Sequence, residues 1–228
     1  MPLSLVLAGR HIQNEGQTPG EFLGALTSTG VSHRPLGLHS IFHQLPDALQ
    51  GMLLTIGSTF AGQASTALLE YLQLAPRETV VYVMDMLATR GLVYRLPGAD
   101  SAGCYAVHEG IHQFALDWLR DTQRLDSSLQ RVHEAVLAYV EQHTDDTRED
   151  RAALVAEMPN IMGLAAYASE CGEIVTLQRL SGALEDAFVS TGSYGYEIRM
   201  IRSLIDKVLE RENGAMTETE SKLLLSAY

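Results

Sequence analysis

Apolar positions recur along most of the chain at helical spacing, and the period changes most clearly near residue 92. After Leu45-Pro46-Asp47 the stripe Leu49, Met52, Leu53 and Ile56 follows i, i+3, i+4, i+7, which predicts a helix with one buried face. The same spacing predicts a second helix over Gln63–Leu74, burying Ala67, Leu68, Tyr71 and Leu72. A third opens at Ala75-Pro76-Arg77-Glu78 and carries Val80, Val83, Met84 and Leu87. Gly91 suits the left-handed position that ends such a helix. Then Leu92-Val93-Tyr94-Arg95-Leu96 and Cys104-Tyr105-Ala106-Val107 read as short strands, with the turn formers of Pro97–Gly103 between them. Three helices and a two-stranded hairpin are the layout of a winged helix.

From Glu109 the pattern is helical again. Helices are expected over Glu109–Thr122, Leu125–His143, Arg148–Cys171, Ile174–Ser190 and Tyr196–Glu210, and helix pairs with such short breaks are how an α-solenoid begins. Upstream, residues 1–27 read as helix, break and helix, with Thr18-Pro19-Gly20-Glu21 as an N-cap. Ser28–Gly37 has no period and reads as a linker, and Thr217–Ala227 reads as a last helix. The expected fold is mainly α: residues 1–35 as the remnant of a small helical domain, 36–122 as a winged-helix domain, and 123–228 as a TPR-like helical arm.

Charge narrows the function classes. The chain is 46% apolar and 19% charged, with a net charge of −12. That surplus of acid opposes a sequence-independent grip on nucleic acid, which needs Lys and Arg. Pro76–Arg90, which would be the recognition helix of a DNA reader, offers only Arg77 and Arg90, offset by Glu78 and Asp85. Its other positions look apolar on more than one face, as if packed against another domain. Residues 123–228 hold 18 of the 28 acidic side chains and 10 of the 16 basic ones, a mix that suits exposed helix faces. No apolar run approaches the ~18–20 residues of a membrane span, and no basic segment precedes the apolar N-terminus. A cytoplasmic protein without a leader is therefore expected, with Cys104 and Cys171 as reduced thiols.

One segment carries candidate chemistry. His108-Glu109-Gly110-Ile111-His112 fits H-E-x-x-H, which on a helix sets two imidazoles one turn apart for zinc, with Glu109 beside them. With Glu134 or His133 as a third ligand this would make a small helical zinc peptidase. Against it, His108 falls at a helix boundary, and Gly110 would cost about 1 kcal/mol inside the helix that must hold the ligands. The other reading is a hairpin that delivers a histidine to the start of an amphipathic helix. The remaining clusters read as bland. His33, His39 and His43 lack partner acids; Met84, Met86, Met158, Met162 and Met200 read as core filler. Thr144–Asp150 lacks the alternating ligands of a calcium loop and reads as a solvated N-cap, and Phe114 and Trp118 read as core anchors.

The order of helices, hairpin, Tyr105-Ala106-Val107-His108-Glu109 and Gln113-Phe114-Ala115 resembles the winged-helix part of STAND-type (NB-ARC) signalling ATPases. Pro2-Leu3-Ser4-Leu5-Val6-Leu7-Ala8-Gly9 resembles the Gly-Leu-Pro-Leu-Ala segment of that family's small helical domain. Glu157-Met158-Pro159-Asn160-Ile161-Met162-Gly163-Leu164-Ala165-Ala166-Tyr167-Ala168 is similar to the helix that opens its TPR-like arm. The resemblance implies that His108 reaches the β-phosphate of bound ADP and that Pro2 lies against the adenine. Glu109 stands where the family often has Asp. No Gly-x-x-x-x-Gly-Lys-[Ser/Thr] occurs, so the phosphate cradle is missing. The resemblance therefore implies the downstream half of such a protein: a regulatory interaction module, not an enzyme alone. It would use ADP or ATP only when a separate nucleotide-binding domain completes the site. A protein partner, or an inducer on the helical arm, is the expected contact.

Overall fold

The computed structural model describes residues 36–73, 75–96, 103–188, 195 and 197–210, with the isolated positions Gln13 and Thr18. Pro2, the helices expected within 1–27, most of the Ser28–Gly37 linker, the hairpin turn at 97–102 and the helix expected over Thr217–Ala227 lie outside the described residues. The chain divides into two compact units, Met1–Val132 and His133–Tyr228. It is mainly helical, with one small antiparallel sheet. No helix among the described residues is long and apolar enough to cross a membrane.

In the first unit the order is α1 (Leu36–Gln44), α2 (Asp47–Gly57), β1 (Gln63–Ser65), α3 (Thr66–Gln73), α4 (Arg77–Thr89), β2 (Val93–Arg95), β3 (Cys104–Val107) and α5 (Glu109–Asp121). The helix α6 (Leu125–Gln142) follows, and the division between the units falls inside it. β3 is the central strand, with Ser65 opposite Cys104 on one side and Val93 opposite Val107 on the other. All four of its residues are buried, as a strand with neighbours on both edges should be.

The apolar stripes of α2 and α4 fall where the spacing puts them. Leu49, Met52, Leu53 and Ile56 of α2 and Val80, Val83, Met84 and Leu87 of α4 are all buried. Pro46 and Pro76 precede α2 and α4, where a missing amide costs nothing because first-turn amides have no intrahelical acceptor. At the other end of α4, Gly91 has φ +74°. Its amide bonds the Ala88 carbonyl at 2.9 Å and the Leu92 amide bonds the Leu87 carbonyl at 3.0 Å, a Schellman stop that sends the chain into β2.

Three expectations need correction. The helix expected over Gln63–Leu74 begins only at Thr66, because Gln63-Ala64-Ser65 pairs with β3 as a third strand. A three-residue strand without a β-branched or aromatic residue carries no period. The usable signals were Gly62, at φ +62°, and Ser65, whose hydroxyl accepts from the Leu68 amide at 3.1 Å. The linker ends sooner than Gly37, since α1 starts at Leu36 and buries Leu38, Ile41 and Phe42. And Ala67 and Tyr71, expected to be buried with Leu68 and Leu72, are only half-buried, because α3 turns Leu69 inward instead.

The second unit holds the remainder of α6, then α7 (Arg148–Cys171), α8 (Ile174–Ala187) and a helical run over residues 197–210. Thr147 caps α7 through a 3.0 Å bond from the Asp150 amide, and Gly172 ends it at φ +78°. α7 and α8 pack together, and Leu154, Ile161, Leu164 and Ala168 of the first and Leu177, Leu180 and Leu184 of the second are buried. Of the methionines read as core, Met84 and Met158 are buried, whereas Met200 is 37% exposed.

Candidate functional site

The candidate site begins where β3 ends. His108 leaves the strand still extended, at φ −69° and ψ 148°, and its ring caps α5: Nδ1 accepts from the Gly110 amide at 3.2 Å. Its carbonyl takes the amides of Ile111 and His112 at 2.7 and 3.0 Å. The side chain is exposed. Since Nδ1 is an acceptor here, the neutral ring carries its proton on Nε2. What His108 offers is an N–H donor at the positive end of a 13-residue helix, a pairing that suits an anion. Glu109, in the first turn, already answers part of that positive end.

His112 has the opposite arrangement. Its Nδ1 lies 2.8 Å from the carbonyl oxygen of Gly57, which can only accept, so Nδ1 carries a hydrogen and, in the neutral ring, Nε2 the lone pair. Gly57 is the last residue of α2, where carbonyls lack intrahelical partners, and His112 supplies one. The surroundings are tight. A Cβ on Gly57 would stand 2.5 Å from Ala115 Cβ, and one on Gly62 would stand 3.2 Å from His112 Nδ1. His112 thus ties the end of α2 to α5.

These opposite tautomers bear on zinc. A metal needs a lone pair from each imidazole, and its histidine ligands usually donate their other N–H to a carbonyl or carboxylate. His112 has that form through Gly57. His108 would have to give up its cap to reach it. Glu134, the expected third ligand, is exposed on α6 and belongs to the second unit. His133, the other possibility, is buried in the same unit, with Nε2 3.3 Å from Thr176 Oγ1 and Nδ1 3.5 Å from Glu173 Oε2. Among the described residues no group of three or more His, Cys, Asp or Glu side chains could hold a metal ion.

Two polar clusters went unnoticed in the sequence. Asp85 of α4 accepts from Arg95 at 2.8 Å and from the Tyr105 hydroxyl at 3.0 Å, and the Arg95 guanidinium lies 5.4 Å from the Tyr105 ring centre. The hydrogen bond that Arg95 donates to Asp85, then its interaction with Tyr105, holds Arg95 above its usual pKa. Burial, then the bond to Asp85, pushes Tyr105 up. This cluster locks the β2–β3 hairpin to α4, and its three members are too far apart in sequence for any motif to reveal them. In α7, Glu157 and Asn160 are fully buried, and Asn160 Nδ2 donates to Glu157 Oε2 at 2.7 Å.

Comparison with family models, with curated proteins and with solved structures finds no match for this chain.

Proposed function

We propose that the chain is a regulatory interaction module, non-catalytic by itself, that works by clamping a nucleotide-binding domain contributed outside these residues. In this reading α2, β1, α3, α4, β2 and β3 form a winged-helix unit, and residues 125–210 form a TPR-like arm. The observation that carries it is His108: an exposed imidazole at the end of the central strand, held by its own cap so that Nε2–H is offered at a helix N-terminus. That is the donor a nucleotide phosphate would need. The switch would be an equilibrium between two packings, biased by ADP through His108 and by an inducer on the arm.

Interaction through the α4 face is favoured over DNA reading. Tyr82 and Tyr94 are 66% and 51% exposed, and Arg95 is neutralised by Asp85. Exposed tyrosines beside a paired arginine suit a protein partner, whereas a phosphate backbone needs uncompensated cations.

The test starts from the reading frame upstream of the Met1 codon. If it encodes a phosphate-binding loop, ADP release is measured from the joined polypeptide with His108 and with His108→Ala. Release about tenfold faster in the variant, a difference of about 1.4 kcal/mol, is expected. Unchanged release, or no such frame, removes the reading. The lone pair on His112 Nε2 is the one observation that favours the competing zinc peptidase built on His108, His112 and Glu134. Stoichiometric zinc lost on His112→Ala would establish a zinc site there.

A further inference from the structure

A pocket of about 530 Å³ opens within the first unit, away from His108. That volume is in the range that holds a small organic ligand. Gly51 and Thr55 of α2 line it, together with Arg124, just before α6, and Ser128 and Arg131 in its first turns. The indole of Trp118 closes one side, its ring centre 4.7 Å from that of Phe42.

The α6 wall has an unusual composition for so acidic a chain. Arg124, Ser128 and Arg131 are spaced by four and then three residues, so they share one helix face, and all three line the pocket. Neither arginine forms an ion pair with any described residue, although the chain carries a net charge of −12. Ser128 is only 3% exposed, and its hydroxyl makes no hydrogen bond among the described residues. That hydroxyl is open to the pocket and can donate to a ligand. Asp47 is the single carboxylate on the lining, so the pocket carries one net positive charge.

We propose that this pocket binds a small planar apolar molecule bearing one anionic group, with its ring against Trp118 and its anion held by Arg124, Arg131 and Ser128. Carboxylate and phosphate share the required chemistry: a compact anion that a guanidinium fork can hold with two parallel bonds. The site goes beyond the His108 reading and shares no residue with it, so either can fail while the other stands.

The test uses the whole chain and its own reporter, because Trp118 is its one tryptophan. 4-Chlorophenylacetate and phenyl phosphate serve as the anionic probes, and 2-(4-chlorophenyl)ethanol as the neutral match. Saturable change of Trp118 fluorescence is expected with at least one anion, confirmed by calorimetry, and at least about tenfold weaker binding of the alcohol. The stronger of the two anions identifies carboxylate or phosphate as the natural head group.

Gly51 gives a blocking variant. A Cβ there would meet nothing within 4 Å, so Gly51→Leu should fill the pocket while keeping the helix, which gains propensity on losing glycine. Unchanged helicity by circular dichroism with loss of binding is the expected result. Arg124→Ala and Arg131→Ala, both exposed and free of ion pairs among the described residues, should each weaken the anion about tenfold or more. They keep the test decisive if Gly51→Leu does not fold. No saturable response to either anion, equal binding of the alcohol, or binding that survives both arginine variants overturns the proposal.

Discussion

The two units solve the problem of buried polar groups in different ways. In the first, the buried polar side chains are mostly small hydroxyls, several of which bond the backbone beside them. Ser58 donates to the Thr55 carbonyl, Thr59 to the Ile56 carbonyl, and Ser65 caps α3. The positions of its elements are set by backbone features instead: the close approach at Gly57, the left-handed turns at Gly62 and Gly91, and the carbonyl that His112 takes up. The second unit buries larger polar side chains among leucines. Glu157 and Asn160 are fully enclosed and bonded to each other, and His133 is buried beside Thr176. Glu157 and Asn160 lie one turn apart on α7 and satisfy each other within that helix, whereas the contact of His133 with Thr176 joins α6 to α8 and would be lost if one slipped past the other. One unit is therefore sensitive to an added methyl group, the other to a lost hydrogen bond.

The largest effect that could break this contrast is at Glu157. Glu157→Ala removes one partner of a fully buried amide and leaves a cavity, and should destabilise the second unit by about 3 kcal/mol. Hydrogen exchange of α7 and α8 is the measurement, with the amides of α2 and α4 as the internal control. Glu157→Leu combined with Asn160→Leu should recover much of the loss, since replacing both partners by apolar groups avoids the unpaired donor. A double variant as unstable as Glu157→Ala would show that the pair contributes more than mutual satisfaction.

A smaller effect is expected at Gly57. Its missing Cβ would stand 2.5 Å from Ala115 Cβ, a separation that forces α2 and α5 apart. Gly57→Ala gains about 1 kcal/mol in helix propensity but should lose more through overpacking, for a net cost of about 1–2 kcal/mol by urea denaturation. Ala115→Gly in the same chain should restore part of that stability, because it removes the other half of the clash. If the two substitutions simply add, the close approach is not what fixes the helix pair.

The same contrast explains what could be read in advance. Stripes at Leu49–Ile56 and Val80–Leu87, the stop at Gly91, and the span Arg148–Cys171 were legible because each rests on spacing or on a local cap. β1 was not, because its signal comes from pairing with a strand some forty residues away, a contact no local period encodes. At the candidate site, His108 was legible as a boundary residue between strand and helix. The tautomers of His108 and His112 were not, since they are set by Gly110 and Gly57, and the second of these is distant in sequence. Asp85, Arg95 and Tyr105 were hidden for the same reason.

That cluster offers the subtlest test, because side-chain bonds among Asp85, Arg95 and Tyr105 join the hairpin to α4. Tyr105→Phe deletes the 3.0 Å bond to Asp85 and should cost about 1 kcal/mol at neutral pH. Its signature lies at alkaline pH. Burial first, then the bond to Asp85, raises the pKa of Tyr105 in the folded chain above the ordinary value of 10.0, with Arg95 pulling the other way. Above pH 10 the unfolded chain loses this proton before the folded one does. Folding then retains a proton that the medium would remove, so stability falls as pH rises from 10 through the folded pKa. Below pH 10 both states are protonated and the contribution is constant. Urea midpoints of wild type and Tyr105→Phe should therefore run parallel from pH 7 to 9 and converge beyond 10. Curves that stay parallel to the end would mean that the phenol ionises equally well in both states, leaving the Asp85–Arg95 pair alone to join the hairpin to α4.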